Sequence, residues 1–289
     1  MRALSAGRAS VGDALEGAIG AIRAAGAGTP RLDAELLLSA ASGIARTTLA
    51  AEPTTPLPPG SGRTFAEMIR RRVAREPVAY ILRRKGFRHL DLLVDGRALI
   101  PRPETELLVE IALEHANLKG TVPFRFLDVG TGSGAVALAI ADELPGASVV
   151  ATDTSPVALE LAKENAILCG VADRVRFEPG SLPASGRFDL LVANLPYVSE
   201  AEWEGLEPEI TRYEPKSALV PGPTGLEAIE ALLGELSVAE PRRVGAIALE
   251  VGAGQAASVS ELCRRAGYER VETRGDLAGI ERVVLADHT

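Results

Sequence analysis

The sequence predicts an α/β protein in which a small helical domain precedes a doubly wound, mostly parallel sheet. Three observations support this fold class. From Phe124 onward, short apolar runs alternate with segments of helical periodicity, which is typical of strands joined by crossover helices. Residues 10–76 show helical periodicity alone. A glycine-rich turn follows the first apolar run, as it does where a strand and a helix meet at a ligand site.

The N-terminal region is predicted to be helical. Apolar residues recur at three- and four-residue spacing over Val11–Ala25, Leu32–Ala41 and Phe65–Val73. Glycine and proline between these segments mark the breaks. We assign residues 1–85 to this domain, and the pattern alone would indicate only a helical adaptor.

A linker is predicted over residues 86–103. Gly86–Arg97 contains two short extended runs around an Asp-Gly turn signal at Asp95, which is typical of a hairpin. Pro101 and Pro103 then hold the residue between them in extended backbone, and acidic residues open the next helix, where they favour the first turn. Residues 104–289 form the third predicted region, the α/β domain.

Seven strands and five helices are predicted in the α/β domain. The strands are Phe124–Val129, Ser148–Thr152, Val175–Glu178, Phe188–Ala193, Ala246–Val251, Val271–Arg274 and Val283–Ala286. The helices are Leu107–His115, Ala135–Leu144, Pro156–Cys169, Gly225–Val238 and Gln255–Ala266. The last two strands have only a short glycine-bounded connection and are predicted to pair antiparallel.

Composition limits the classes of function. A net charge of −8 and a pI of about 5.2 make a nucleic-acid partner unlikely on these grounds, because such proteins usually present a basic surface. A local basic patch is interpreted as a solvated helix face or as a partner contact; its residues are Arg70, Arg71, Arg72, Arg75, Arg83, Arg84 and Lys85.

Metal and membrane sites are not predicted. Two cysteines and three histidines, far apart in sequence, form no metal-ligand spacing, so we expect no metal. No run of about 18 apolar residues is present, so we expect no membrane partner and a cytoplasmic location.

A nucleoside-containing cofactor is predicted at the first turn of the sheet. Gly130, Gly132 and Gly134 follow a strand and open a helix, where glycine permits positive φ and close approach of a ligand. Asp153 ends the next strand, nineteen positions after Gly134, where an acidic residue grips ribose hydroxyls. The loop also satisfies the dinucleotide fingerprint with Ala135 at its last position, which leaves an NAD-dependent dehydrogenase open.

Two motifs carry a resemblance to methyltransferases. The Gly-x-Gly-x-Gly loop resembles the first motif of S-adenosylmethionine-dependent enzymes. Asn194-Leu195-Pro196-Tyr197 follows a buried strand and resembles the Asn/Asp-x-Pro-Tyr/Phe motif of enzymes that methylate planar nitrogens. The resemblance implies a Rossmann-like, seven-stranded class I methyltransferase domain.

The tetrapeptide suits the methylation of an amide or amino nitrogen. Such a nitrogen is a weak nucleophile because its lone pair is delocalised. The Asn194 carboxamide oxygen and the Leu195 carbonyl could accept its two N–H groups and offset the developing positive charge. Pro196 restricts the backbone at Leu195, and Tyr197 could stack on the planar group.

A closer resemblance includes the linker. Ile100-Pro-Arg-Pro-Glu-Thr-Glu106, the glycine loop, Asn-Leu-Pro-Tyr and Tyr213-Glu-Pro215 together resemble the bacterial release factor glutamine methyltransferases, the HemK/PrmC family. The resemblance covers nearly the whole chain. It implies that peptide chain release factors are the protein substrate, methylated at the glutamine of their Gly-Gly-Gln motif, and that the helical domain helps to hold them.

The resemblance also implies site residues. S-adenosylmethionine would bind at Gly130, Thr131, Gly132, Ser133, Gly134, Asp153, Leu182 and Asn194. Asn194, Pro196 and Tyr197 would be catalytic, and together with Leu195 they would receive the glutamine. Leu195 stands where the family usually has a second proline, and a backbone carbonyl serves equally well from leucine.

Two further alternatives remain beside the dehydrogenase. An adenine N6-methyltransferase acting on RNA or DNA shares this tetrapeptide, but it would need a basic groove for its flipped or unpaired base. A non-catalytic binding protein could keep the same fold.

Overall fold

The computed structural model describes residues 10–119, 123–238 and 243–288. These residues form two compact units. The helical unit contains the chain up to Arg83 together with a later segment, Glu207–Tyr213, and the α/β unit contains Arg84–Leu206 and the chain from Glu214 onward. In the described ranges, no helix is both long and apolar enough to cross a bilayer.

The helical unit packs around one apolar core. Its helices are α1 (Val11–Ala24), α2 (Pro30–Ser42), α3 (Arg46–Ala51), α4 (Ser61–Val73), α5 (Val78–Leu82) and, in the later segment, α10 (Pro208–Tyr213). The apolar periodicity that predicted α1, α2 and α4 places buried residues such as Ile22, Leu37 and Phe65 in that core. A capping box between Ser10 and Asp13 begins α1.

Two arginines of the basic patch, Arg72 and Arg75, are internal to the helical unit, which corrects their interpretation as a solvated face or a partner contact, whereas Arg70 is exposed to solvent. Arg72 is only 4% exposed, and its guanidinium donates to Asp33 at 2.6 Å and to Glu209 at 2.7 Å. Arg75 also donates to Glu209, while Arg71 pairs with Glu76. Burial of the Arg72 side chain requires these carboxylates, because an unpaired buried charge is costly. Glu209 is distant in sequence, so the local pattern could not predict this pairing.

The hairpin lies earlier than predicted. Strands β1 (Lys85–Phe87) and β2 (Leu90–Leu92) pair antiparallel, so the turn falls at Arg88 and not at Asp95. Arg88 adopts φ 52°, and its guanidinium binds Glu143. Contacts outside the hairpin therefore hold a non-glycine residue in a conformation that its own sequence disfavours.

The seven-stranded sheet confirms the predicted fold class. Its strands are β3 (Arg125–Val129), β4 (Ser148–Asp153), β5 (Val175–Pro179), β6 (Phe188–Ala193), β7 (Val244–Glu250), β8 (Arg270–Gly275) and β9 (Glu281–Asp287), in the order β5-β4-β3-β6-β7-β9-β8. The first five are parallel, and β9 pairs antiparallel with both β7 and β8, as predicted for the last two strands.

Helices cover both faces of this sheet and enclose it in apolar side chains. The helices of the α/β unit are α6 (Glu106–Lys119), α7 (Ala135–Glu143), α8 (Pro156–Leu168), α9 (Glu200–Trp203), α11 (Glu227–Val238) and α12 (Ala256–Arg265). Every residue of α7 from Ala135 to Ala141 is buried, which explains its small apolar sequence.

The register of the central strands brings their carboxyl ends to the same edge of the sheet. Val129 of β3 lies opposite Thr152 of β4 on one side and opposite Ala193 of β6 on the other. The residues that follow these three strands therefore emerge together. The chain order reverses between β3 and β6, which is where ligands bind in open α/β sheets.

Removing the Arg72 side chain tests the buried ion pairs. Arg72→Ala would leave the Asp33 carboxylate buried without its cation, so we expect the free energy of unfolding of the helical unit to fall by about 3–5 kcal/mol. Native-state hydrogen exchange of the amides in α1, α2 and α4 measures this loss. Arg70→Ala removes only an exposed pair with Glu67 and should change little. Equal, small losses in the two variants would contradict the assignment.

Candidate active site

The glycine loop after β3 has the backbone that its sequence predicts. Gly130, Gly132 and Gly134 have φ of 73°, 56° and 87°. The amides of Gly130 and Thr131 both donate to the Thr152 carbonyl at 2.9 Å, which fixes the loop to the end of β4. The left-handed conformation at three positions accounts for the three glycines.

Gly130 also lies against its neighbour Leu195. A Cβ atom on Gly130 would lie 2.9 Å from Leu195 Cδ2, closer than such contacts occur. The leucine of the tetrapeptide therefore packs directly on the cofactor loop. This contact joins the two motifs on which the sequence analysis relied.

Asp128 is a buried residue behind the loop that the sequence analysis did not assign. Its carboxylate accepts from the Thr131 hydroxyl at 2.6 Å and from the Ala137 amide at 3.2 Å. Burial raises the pKa of Asp128 to about 7 against these hydrogen bonds, and the nearby Asp153 charge raises it further. An acid inside an otherwise apolar strand was the signal that could have identified it.

Asp153 ends β4 beside the loop, where it was predicted. One carboxylate oxygen accepts from the Gly132 amide at 2.9 Å, and the other accepts from the Ser155 amide at 2.8 Å. Each oxygen has a further lone pair, so the side chain can still accept from a ligand. The same hydrogen bonds hold it in place before any ligand arrives.

Asn194 directly follows β6. Its side-chain amide donates to the Thr105 hydroxyl at 2.9 Å, which leaves the carboxamide oxygen for another donor. Thr105 is buried and ends a short 3-10 helix, Pro103–Thr105. The proline-rich segment predicted before α6 is thus in direct contact with the tetrapeptide.

Contacts with the backbone carbonyl of Tyr197 hold this residue in place. The Tyr197 carbonyl accepts from the Gln255 side chain at 2.9 Å, and a Cβ atom on Gly225 would lie 2.4 Å from that carbonyl oxygen. Burial raises the pKa of the Tyr197 phenol to about 12, and the charge of Glu250 adds to this. The phenol therefore stays protonated across the physiological range.

An ion pair also holds the proline-rich segment before α6 in place. The buried carboxylate of Glu214 accepts from the Ile100 amide at 3.0 Å and from the Arg102 guanidinium. Ile100 and Arg102 belong to the segment before α6, whereas Glu214 lies seventeen positions after the last residue of the tetrapeptide. Two segments that carry the resemblance to the HemK/PrmC family, Ile100–Glu106 and Tyr213–Pro215, are therefore in contact through Glu214.

One cavity of about 710 Å³ brings most of the predicted residues together. The predicted residues that line it are Gly130, Thr131, Gly132, Ser133, Asp153, Asn194, Leu195 and Pro196. Thr105 and Asp128 line it as well. The volume is within the usual range for a cofactor site.

Gly134, Leu182 and Tyr197 are predicted site residues that do not line the cavity. Gly134 caps α7 at its N-terminus, and Leu182 packs against the core cluster on one face of the sheet. Near Leu182, the cavity is lined by Gly180 and Ser181. Over the described residues, no group of three or more histidine, cysteine or acidic side chains is arranged to hold a metal ion.

Comparison with known proteins gives the family. A family model described as the PrmC N-terminal domain matches residues 13–82, and one described as ribosomal protein L11 methyltransferase (PrmA) matches residues 103–196. The release factor glutamine methyltransferase of Nitratidesulfovibrio vulgaris is 41% identical over 272 residues, covering 92% of this chain and 90% of that protein. The chain belongs to the release factor glutamine methyltransferase family. The family member of Moorella thermoacetica is also 41% identical, over 94% of this chain and 96% of its own.

Solved structures support the fold of this release factor glutamine methyltransferase. The catalytic domain of hMettl16, determined in complex with a MAT2A 3′UTR hairpin, superposes with a TM-score of 0.54 over 68% of this chain and 75% of its own, at 18% identity. At that identity the likeness shows the fold alone, that of class I methyltransferases. The enzyme is therefore an S-adenosylmethionine-dependent methyltransferase by family.

The cavity of this family member fits S-adenosylmethionine. Gly130 and Gly132 present no side chain to it, and Asp153 offers acceptor oxygens at its side. A nucleoside needs both features, a backbone it can approach closely and an acceptor for its ribose hydroxyls.

Substituting Gly130 tests the contact between the two motifs. Gly130→Ala adds a Cβ 2.9 Å from Leu195 Cδ2, so Leu195 or the loop must shift, and we expect binding of S-adenosylmethionine to weaken about tenfold or more, measured by calorimetry. Leu195→Ala in the same chain should recover part of the affinity by making room.

Gly43→Ala is a matched control for this substitution. Gly43 has the same φ of 73°, lies in the helical unit, and has open space around its Cβ position. It therefore carries the backbone strain, about 1–2 kcal/mol, without the contact. Equal cofactor affinity in Gly130→Ala and Gly43→Ala would contradict the role of the contact.

Proposed function

We propose that the enzyme transfers a methyl group from S-adenosylmethionine to the side-chain amide nitrogen of the glutamine in the Gly-Gly-Gln motif of peptide chain release factors. The observation that carries the proposal is the position of Asn194 at the sheet edge, beside the glycine loop, with its amide group engaged by Thr105. An acceptor for the substrate N–H groups therefore lies next to the cofactor residues. Family membership supports the choice of substrate.

The cofactor would be held at the carboxyl ends of β3 and β4. The backbone of Gly130–Gly134, including Thr131 and Ser133, would contact its charged and ribose groups, and Asp153 would accept from the ribose hydroxyls. When bound, S-adenosylmethionine supplies the electrophilic methyl group. Leu182, which follows the cavity-lining Gly180 and Ser181, would contact the adenine.

The tetrapeptide would orient the substrate amide. The Asn194 Oδ1 atom and the Leu195 carbonyl would each accept one N–H group, which orients the amide and offsets the developing positive charge. Pro196 lines the cavity and restricts the backbone conformation at Leu195. Tyr197, adjacent to the cavity-lining residues, would stack on the planar amide.

The helical unit would contribute to holding the release factor. The match of residues 13–82 to the PrmC N-terminal domain supports this role. Methylation of adenine in RNA or DNA is not favoured, because Arg72 and Arg75 of the basic patch form ion pairs with Glu209 and the net charge is −8. A substrate that acts in translation supports a cytoplasmic location for the enzyme.

Asp153→Ala tests the ribose site. Removing a charged acceptor should weaken S-adenosylmethionine binding by about 10- to 100-fold, measured by calorimetry. Asp276→Ala is the matched control, because Asp276 also accepts from two backbone amides, Ala278 and Ile280, but does not line the cavity. Wild-type affinity for S-adenosylmethionine in Asp153→Ala would contradict the assignment of the ribose site to Asp153.

Asn194→Ala tests the acceptor site. We expect the rate of methyl transfer to fall about 100- to 1000-fold while cofactor affinity stays close to normal, because the carboxamide acts on the transition state. Asn117→Ala, on the exposed side of α6, should leave the rate unchanged. Unchanged turnover in Asn194→Ala would remove the proposed role.

The same assay should compare acceptors. Labelled S-adenosylmethionine is incubated with the enzyme and a release factor, its Gln→Ala variant, RNA or DNA. Label is expected in the unmodified release factor alone. Label in RNA or DNA, with none in the release factor, would support the adenine methyltransferase instead.

A further inference from the structure

The orientation of the Asn194 carboxamide has a cause beyond the tetrapeptide. A carboxamide can turn by 180°, and only one orientation directs its oxygen at a substrate N–H group. The Asn194 amide donates to Thr105 at 2.9 Å. A hydroxyl, however, can either accept or donate, so Thr105 alone would satisfy both orientations. A third group must decide which one is adopted.

That third group is Glu250, the last residue of β7. Its side chain is 2% exposed, and the Thr105 hydroxyl is close enough to its carboxylate for hydrogen bonding to lower the pKa of Glu250. An ionised carboxylate can only accept, so the Thr105 hydroxyl proton is committed to Glu250. The hydroxyl oxygen can then only accept from Asn194, which turns the Asn194 oxygen away from Thr105.

We propose that Glu250 and Thr105 are positioning residues that hold the Asn194 carboxamide with its oxygen toward the substrate amide. The assignment rests on the proposed function of Asn194. It follows from the polarity of a chain of three side chains that the fold brings together from β6, β7 and the segment before α6. None of the three is replaceable by a group of similar shape with a different hydrogen-bonding capacity.

Burial makes this arrangement sensitive to pH. Desolvation raises the pKa of Glu250 to about 7, against the hydrogen bond from Thr105, and its Oε2 atom has no hydrogen-bond partner in the described residues. The charged and titratable groups that face Glu250 are Glu104, Arg102, Arg282 and Tyr197. Glu104 raises the pKa further, and the two arginines lower it.

The direction of the pH effect follows from the protonated state. A protonated Glu250 can itself donate to Thr105, which then has a proton free to donate to the Asn194 oxygen. The preference for the productive orientation is therefore lost as pH falls through about 7 and present above it. Tyr197 does not titrate in this range.

Isosteric variants of the full-length enzyme test the proposal. Thr105→Val and Glu250→Gln should each lower kcat about tenfold, which corresponds to about 1.4 kcal/mol, with the Kd of S-adenosylmethionine within about twofold of wild type. Thr105→Ser keeps the hydroxyl and should retain at least about half of the wild-type kcat. At saturating cofactor, kcat of the wild type should rise between about pH 6 and pH 8, and Glu250→Gln should lose the part of this rise that Glu250 contributes.

An exposed pair on the same sheet supplies matched controls. The Thr273 hydroxyl donates to Glu281 at 2.6 Å, between β8 and β9 and outside the cavity. Thr273→Val and Glu281→Gln make the same chemical changes and should leave kcat unchanged. Asp128 also has a pKa near 7, and its contribution to the pH profile should persist in Glu250→Gln.

A spectroscopic readout separates this proposal from the proposed function. The chain has three asparagines, so labelling their side-chain nitrogens gives three NH₂ signals in an NMR spectrum, and Asn194→Asp identifies one by its loss. The Asn194 signal should shift in Thr105→Val and Glu250→Gln and should titrate near pH 7 in the wild type alone, whether or not a release factor is methylated.

Three outcomes would overturn the proposal. The first is kcat within twofold of wild type in both Thr105→Val and Glu250→Gln. The second is an Asn194 signal that neither variant moves. The third is a loss of kcat matched by an equal loss of cofactor affinity, which would indicate general disruption of the site.

Discussion

The site depends on the register of three parallel strands. Val129 lies level with Thr152 and with Ala193, so β3, β4 and β6 end at the same height. A shift of either neighbour by one residue would reverse which of its side chains face each side of the sheet. Burial on both faces fixes this register, and the cofactor loop, Asp153 and Asn194 follow from it.

Two buried carboxylates support the ends of these strands in similar ways. Asp128 accepts from Thr131 behind the cofactor loop, and Glu250 is paired with Thr105 behind Asn194. In both cases a threonine hydroxyl stands between the acid and the loop. An acid paired with a hydroxyl rather than a cation keeps an elevated pKa, because desolvation is not offset by an opposite charge.

Much of the fold was accessible from the sequence because its signals are local. The seven strands and the longer helices lie within a few residues of their predicted bounds, and the motif residues Gly130, Asp153 and Asn194 follow the strands that were predicted to present them. Helices α3, α5, α9 and α10 are too short for apolar periodicity to reveal.

The remaining features depend on contacts between distant residues. Thr105 and Asn194 are 89 positions apart, and Arg72 and Glu209 are 137 apart. No spacing rule reaches over such distances. The hairpin turn was misplaced for the same reason, since Arg88 is held by Glu143 rather than by its own neighbours. Acids within apolar strands, Asp128 and Glu250, were the available signal for buried supporting groups.

The later segment of the helical unit has a consequence for how this protein is made. Arg72 and Arg75 are synthesised long before Glu209, the carboxylate that both of them bind. Domains near the N-terminus generally fold first as a chain leaves the ribosome. Here the leading helices can complete their electrostatic partners only after most of the catalytic sheet has been translated. Until Glu209 has been synthesised, after the acceptor motif, the charges of Arg72 and Arg75 in the nascent helical bundle are therefore incompletely neutralised.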